Sequence, residues 1–78
     1  MYKKIVKEKI QLLDKLRKLS DNNVTYLSVR LRLPYARIYM WLRTGIISDR
    51  GVYDIMQNEE FVNLVSDELK EYINARFK

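Results

Sequence analysis

Residues 23–45, NVTYLSVRLRLPYARIYMWLRTG, contain the pattern that decides the fold. Asn23 is a residue type that caps helices, and residues 24–32 after it have apolar side chains at helical spacing. Pro34 disfavours helical backbone at the residue before it and is itself favoured in the first turn of a helix. A second helix is therefore predicted over residues 34–43, ended by Gly45, which adopts left-handed backbone readily.

A longer helix is predicted before this stretch. Residues 3–19 have apolar side chains at helical spacing, and residues 20–23, Ser-Asp-Asn-Asn, are turn formers that end the helix. The apolar positions at this spacing are Val6, Ile10, Leu13 and Leu16, with Leu12 and Leu19 beside them, and Lys and Arg cover the other face. A basic amphipathic helix lying on a membrane is the alternative, but two further apolar-patterned segments follow at once and favour packing in a core.

Two more helices are predicted after this stretch. Ser48 caps a helix over residues 49–57, and Asn58 separates it from a last helix over residues 59–77. The predicted fold is thus an all-α bundle of about five helices in one domain, residues 1–78. The last helix has an apolar stripe larger than one small core needs, which predicts a homodimer or, alternatively, a heterologous protein partner. The dimer residues predicted on it are Phe61, Leu64, Leu69, Tyr72 and Ile73.

Composition removes several classes of site. The 78 residues include no Cys and no His, so zinc fingers, thiol nucleophiles, disulfides and histidine acid–base catalysis are excluded. We expect no enzyme, no catalytic residue, no metal site and no cofactor. No apolar run approaches the roughly 20 residues of a membrane span, and no signal-peptide pattern opens the chain. A cytoplasmic protein with no membrane partner is therefore the expectation.

The net charge of +5 is unevenly distributed along the chain. Residues 1–20 have seven Lys and Arg against two acidic residues, residues 21–50 have five against two, and residues 51–78 have three against six. A basic front and an acidic back are typical of a domain that faces a polyanion with one side. The alternative interpretation is an ordinary solvated surface.

The residues of the central stretch resemble a known motif. Leu27, Ser28, Leu33 and Ile38, followed by WLRTG at residues 41–45, are similar to the helix-turn-helix of Cro-like phage and plasmid repressors. Ser28 stands where that family has a small residue, Ile38 where it has a branched apolar residue ten positions later, and Leu33 where an apolar residue follows the turn.

Two positions depart from the family pattern. The turn usually contains Gly where this chain has Arg32, and a polar cap usually opens the second helix where this chain has Pro34. A left-handed Arg32 would cost about 1 kcal/mol. The tail at residues 41–45 is also similar to excisionase and MerR-type winged domains, although the residues after it lack a clear pair of wing strands.

The resemblance implies a protein that binds double-stranded DNA and inserts the helix over residues 34–43 in the major groove. The base-contacting residues it implies are Tyr35, Ala36, Tyr39, Met40 and Arg43. Helix starts and neighbouring cations predict phosphate contacts, from Asn23, Thr25, Arg30, Arg32, Arg37 and Arg50. The opposing interpretation is that the tyrosines only cover a small core and the arginines are solvated.

The expected function is that of a sequence-specific transcriptional regulator, a repressor of phage or plasmid type. Three alternatives stay open: an excisionase-like architectural DNA binder, a protein-binding module that uses the last helix, and a basic RNA-binding bundle.

Overall fold

Five α-helices form the fold in the computed structural model, which describes residues 2–77. They are α1 (Tyr2–Ser20), α2 (Val24–Leu31), α3 (Tyr35–Thr44), α4 (Asp49–Met56) and α5 (Asp67–Arg76), with a short 3₁₀ helix at Val62–Leu64. No strand occurs within residues 2–77. The all-α prediction of about five helices is confirmed, and the ends of the predicted domain, Met1 and Lys78, lie outside the described residues.

The core lies where α1 packs on α2, α3 and α5, while α4 packs on α5. Caps hold the short helices at their ends as the sequence predicts. The side chains of Asn23 and Ser48 accept hydrogen bonds from the backbone N–H groups of Tyr26 and Gly51. Each cap satisfies a donor that a helix start leaves free. The side chains that fill the core are Ile5, Leu12, Leu13, Leu16, Leu27, Leu31, Ile38, Trp41, Ile47, Val52, Ile55, Phe61, Val65, Leu69 and Ile73.

The inward face of α1 differs from the predicted face. Val6, Ile10 and Leu19 are exposed, whereas Ile5 is buried together with the predicted Leu12, Leu13 and Leu16. Apolar residues cover so much of this helix that two overlapping stripes both satisfy helical spacing. The helices packed against α1 select the stripe centred on Leu16, and that choice depends on contacts distant in sequence.

The prediction of a single helix over residues 59–77 is wrong. The chain instead makes a turn and a 3₁₀ helix before α5 begins at Asp67. The Asn58 side chain accepts hydrogen bonds from the N–H groups of Glu60 and Phe61, and Ser66 caps α5 through the N–H of Leu69. Side chains of this type offer the backbone an alternative to helical hydrogen bonds. Two such sites within nine residues divide the segment.

This break also corrects the predicted dimer interface. Phe61, Leu69 and Ile73 are each 0% exposed, so the protomer buries them in its own core. Leu64 and Tyr72 are half-buried and pack against that core. The helix break allows Phe61 and Val65 to face the core together. One chain therefore buries most of the apolar stripe, which the sequence predicts to be larger than one core needs.

One carboxylate ties three helices together. Asp49, the first residue of α4, accepts a 2.6 Å hydrogen bond on Oδ1 from Nζ of Lys9 in α1. Its Oδ2 lies 2.8 Å from Nε of Arg76 and accepts a 3.4 Å hydrogen bond from the Tyr72 hydroxyl, both in α5. The Lys9 and Asp49 side chains are only 15% and 21% exposed, so solvent screens this pair less than a surface pair.

We expect Asp49→Asn to lower the free energy of unfolding by about 1–3 kcal/mol, because the mostly buried Lys9 cation and the exposed Arg76 guanidinium lose their shared counter-charge. Urea unfolding followed by circular dichroism measures the change. Glu68→Gln is the control, since it removes the carboxylate of an exposed pair in which Nζ of Lys4 lies 2.7 Å from the Glu68 carboxylate. The hydrogen bond with Glu68 and the charge of Glu68 raise the pKa of Lys4. Solvent surrounds this pair, so Glu68→Gln should lower the free energy of unfolding by less than Asp49→Asn does. Equal losses in the two variants would contradict this role of Asp49.

The packing of α3 against α4 depends on a glycine, Gly51. A Cβ atom at Gly51 would lie 2.9 Å from Cζ2 of Trp41 and 2.8 Å from Cγ1 of Ile47, closer than packed carbon atoms approach each other. Trp41 and Ile47 are both buried. Glycine at this position therefore allows α4 to approach the ring that anchors α3.

We expect Gly51→Ala to lower the thermal unfolding midpoint. Alanine favours a helix interior by up to about 1 kcal/mol over glycine, but overpacking a buried ring costs about 1–3 kcal/mol. Differential scanning calorimetry measures the balance. A midpoint that rises by the amount helix propensity predicts would show that Trp41 and Ile47 move aside without cost.

Candidate nucleic-acid interface

Residues 32–34 join α2 to α3 in a tight turn. Arg32 has φ 59° and ψ 41°, the left-handed conformation that glycine usually supplies at this point in a helix end. The N–H groups of Arg32 and Leu33 both donate to the Ser28 carbonyl, the second at 3.2 Å. The Ser28 hydroxyl donates back across the turn to the Leu33 carbonyl at 2.7 Å. Arginine thus occupies strained backbone that the neighbouring hydrogen bonds hold in place.

Buried side chains fix the rotation of α3 about its axis. Ile38 and Trp41 are its buried residues, as the sequence predicts. At its carboxyl end, Nη2 of Arg17 in α1 donates a 2.8 Å hydrogen bond to the Leu42 carbonyl, and Gly45, with φ 73°, donates its N–H to Trp41 at 2.9 Å. A cation at this end also complements the helix dipole. The helix begins one residue later than predicted, with Pro34 as its N-cap.

All five side chains predicted to contact bases are exposed on α3: Tyr35, Ala36, Tyr39, Met40 and Arg43. The Tyr35 and Tyr39 rings stack with centroids 6.2 Å apart, and the Arg43 guanidinium lies 6.0 Å from the Tyr39 centroid. These three residues are four apart in sequence, and each lies against the next along one side of the helix. Contacts between neighbours restrict their rotamers, so the face presents aromatic surface, hydroxyl groups and one guanidinium in a defined order.

The predicted phosphate-contacting residues have different surroundings. The Asn23 side-chain oxygen is occupied by the cap of α2, and Thr25 and Arg32 are exposed. Arg30 lies over the Tyr26 ring, 5.3 Å from its centroid. Its Nη1 is 3.5 Å from a Glu60 oxygen.

Arg37 and Arg50 come together on one carboxylate. Nη2 of Arg37 lies 2.9 Å from Oδ2 of Asp54, and Nε of Arg50 lies 3.2 Å from Oδ1. Two cations predicted separately from the sequence therefore form one cluster beside α3.

An open groove of about 520 Å³ runs between the turn and the segment after α4. It has cations on the side of α2 and carboxylates on the other side, and its lining is Arg30, Leu31, Arg32, Asp54, Gln57, Asn58, Glu59 and Glu60. The Asn58 amide donates a 2.9 Å hydrogen bond to the Arg30 carbonyl across it. The acidic carboxy-terminal part of the chain therefore approaches the basic part at this groove. The distribution of charge along the sequence does not indicate this approach.

Sequence reasoning missed three residues that shape this surface: Asp54, Arg17 and the hydroxyl of Ser28. A signal existed for Asp54, because Arg50 and Asp54 are four residues apart on one helix, the spacing at which opposite charges pair. The contacts of Arg17 with Leu42 and of Asp54 with Arg37 join residues far apart in sequence, and no local pattern indicates them.

Two other features are absent from the described part of the chain. No helix of residues 2–77 is long and apolar enough to cross a membrane, and no three His, Cys, Asp or Glu residues there are grouped to hold a metal ion. Comparisons with protein-family models, with curated proteins and with solved structures found no match. The function is therefore inferred from the residues of this chain.

Proposed function

We propose that this protein binds double-stranded DNA sequence-specifically as a helix-turn-helix regulator of transcription, with α3 in the major groove. The observation that carries the proposal is that α3 has a buried side and an exposed side with different residues. Ile38 and Trp41 are buried on one side, and the predicted base-contacting side chains are exposed on the other. A turn of three residues connects α3 to α2, as expected for a recognition helix held by a shorter partner helix.

The dimensions of α3 suit a major groove. An α-helix with its side chains is about 10–12 Å across, and the major groove of B-DNA is about 12 Å wide. The 10 residues of α3 give it a length of about 15 Å to lie along that groove. Arg43 offers the paired donors that match O6 and N7 of guanine, while Ala36 and Met40 offer apolar contact to a thymine methyl group. Tyr39 offers a hydroxyl to a base or a phosphate.

Phosphate contacts are the expected source of most of the affinity. Thr25 and Arg32 are exposed near the start and the end of α2, and Arg37 of α3 and Arg50 of α4 meet at Asp54. Cations at the edge of a recognition helix can meet the sugar-phosphate strand that borders the groove there. Binding should therefore weaken steeply as salt rises.

The alternative functions have less support. A winged, excisionase-like domain needs strands after its recognition helix, but here residues 45–48 lead directly into α4, and no strand occurs in the described range. A module that binds proteins through the carboxy-terminal stripe needs that stripe at the surface, but Phe61, Leu69 and Ile73 of the stripe are buried in the core.

The division between base and phosphate contacts gives a test. Arg43→Ala should weaken binding to the preferred duplex by about 5- to 150-fold and relax the preference at one base position, since a bidentate arginine contributes about 1–3 kcal/mol of discrimination. Arg30→Ala should weaken all duplexes by a similar factor and make the salt dependence shallower. Selection from random duplex DNA at two salt concentrations measures both effects. Equal changes on every sequence for both variants would contradict this division.

The same selection tests the function itself. Enrichment of a palindrome whose half-sites are about one helical turn apart is the result expected for a dimeric helix-turn-helix protein. Binding without enrichment, lost at moderate salt, would mean that the basic surface attracts polyanions without reading sequence, and the proposal would be wrong.

The proposal includes a homodimer, because two recognition helices are needed to read a two-fold related site. The carboxy-terminal stripe is buried, so we assign the contact to α1. Tyr2, Val6 and Ile10 are exposed there at a spacing of four, which places them along one side of the helix. Exposed apolar side chains in such a row are typical of an interaction surface.

A double substitution, Val6→Gln with Ile10→Gln, should lower the mass in solution from two chains to one and leave the helix content unchanged. Sedimentation equilibrium at several concentrations measures the mass. Val29→Gln is the matched control, because Val29 is also an exposed apolar residue but lies on α2. A dimer that persists in the double variant would exclude the α1 surface.

A further inference from the structure

A single carboxylate on α4 binds arginines from two helices. Each oxygen of Asp54 has its own partner, Arg37 of α3 at 2.9 Å and Arg50 of α4 at 3.2 Å. The Asp54 side chain is 17% exposed, against 37% for Arg37 and 67% for Arg50. The acid therefore lies beneath the two cations, and the cations lie nearer to solvent.

Aromatic rings hold the same two guanidinium groups from another direction. Arg37 lies 5.5 Å from the Trp41 ring centroid, and Arg50 lies 5.6 Å from the Tyr53 centroid. A guanidinium has five N–H donors in a rigid plane, so one contact to a carboxylate leaves several donors free. The ring and the carboxylate together restrict the rotamers of each arginine, and donors of each guanidinium remain for a further acceptor.

The two arginines lie on the flank of the exposed face of α3. Arg37 is one helical turn before Met40, at the edge of the face that Ala36, Met40 and Arg43 form. The pairing with Asp54 draws Arg50 to the same edge. When a helix lies in a major groove, the sugar-phosphate strands run along its flanks, and guanidinium groups suit phosphate oxygens.

We propose that Asp54 is a positioning residue that holds Arg37 and Arg50 as a paired phosphate clamp on the α4 side of α3. This inference rests on the proposed DNA-binding function. Asp54 touches no DNA in this arrangement and acts only through the two arginines. Without it both side chains regain rotamer freedom, which has to be lost again when phosphates bind.

The sign of the effect distinguishes this role from simple electrostatics. Removing an acidic charge beside a polyanion should tighten binding if only charge matters. Removing a group that orders two phosphate-binding cations should weaken it. The substitution Asp54→Asn therefore has opposite expected outcomes for the two interpretations.

The experiment measures binding of the full chain to the duplex that selection enriches, over a series of salt concentrations. Asp54→Asn should weaken binding on the order of tenfold and make the salt dependence shallower by about one to two phosphate contacts. Asp54→Glu keeps the carboxylate and should restore most of the salt dependence. Glu60→Gln is the matched control, because it also removes a carboxylate that faces an arginine, and both partners, Glu60 and Arg30, are about half exposed. It should leave the affinity unchanged or raise it.

A triple variant separates positioning from loss of fold. With Arg37→Ala and Arg50→Ala already present, adding Asp54→Asn should no longer weaken binding, because the groups through which Asp54 acts are gone. A further loss in that background would mean that Asp54 supports the fold, and the inference would be overturned. Thermal unfolding of each variant identifies any that is unfolded at the assay temperature.

The outcomes separate this inference from the function on which it rests. Wild-type enrichment of a specific duplex, together with equal or tighter binding by Asp54→Asn at an unchanged salt dependence, would overturn the positioning role and leave the proposed function in place. A wild-type protein that enriches no duplex would overturn the proposed function, and the clamp with it.

Discussion

The burial of Trp41 against Gly51 is the contact on which the rest of the structure depends. Gly51 allows α4 to approach the Trp41 ring, and the burial of Trp41 together with Ile38 sets the rotation of α3 about its axis. Once one side of α3 faces the core, helical geometry requires that residues such as Ala36 and Met40 face solvent. The exposed face therefore needs no contacts of its own to hold its orientation. Its side chains are therefore not constrained by the packing of the core.

Short helices make the polar ties between elements important. α2 and α4 have 8 residues and α3 has 10, lengths at which isolated helices are marginal in water. Arg17 binds the carboxyl end of α3, and Asp49 joins α4 to α1 and α5. These contacts link elements far apart in sequence, so the exposed face of α3 is positioned by the whole bundle. A substitution in α1, such as one at Arg17, can therefore alter the position of α3.

Local physics explains which parts of the structure could be predicted from the sequence. The caps at Asn23 and Ser48 and the terminator at Gly45 depend on residues within one turn, and their predicted helix boundaries agree with the structure to within a residue or two. The exposed face of α3 could also be predicted, because Ile38 and Trp41 define its opposite. The inward stripe of α1 and the helix break before Asp67 could not. The first depends on which helices pack against α1, and the second on competition between Ser66 capping and continued helix, which apolar spacing does not record.

The same distinction bears on charge. Counting residues along the chain predicts a basic surface in front of an acidic one, but Asp54 and Glu60 come from the acidic part and pair with Arg37, Arg50 and Arg30. In the free protein these arginines are thus partly neutralised, and the surface attracts a polyanion less than the net charge of +5 suggests. On the proposed function this has a useful consequence. Sequence-independent affinity for DNA comes from cations that meet phosphates in any register, and it competes with the specific site. An arginine whose rotamers are restricted by a carboxylate binds phosphate best at one position along the duplex. Pairing the arginines with carboxylates therefore weakens binding at non-specific registers more than binding at the specific site.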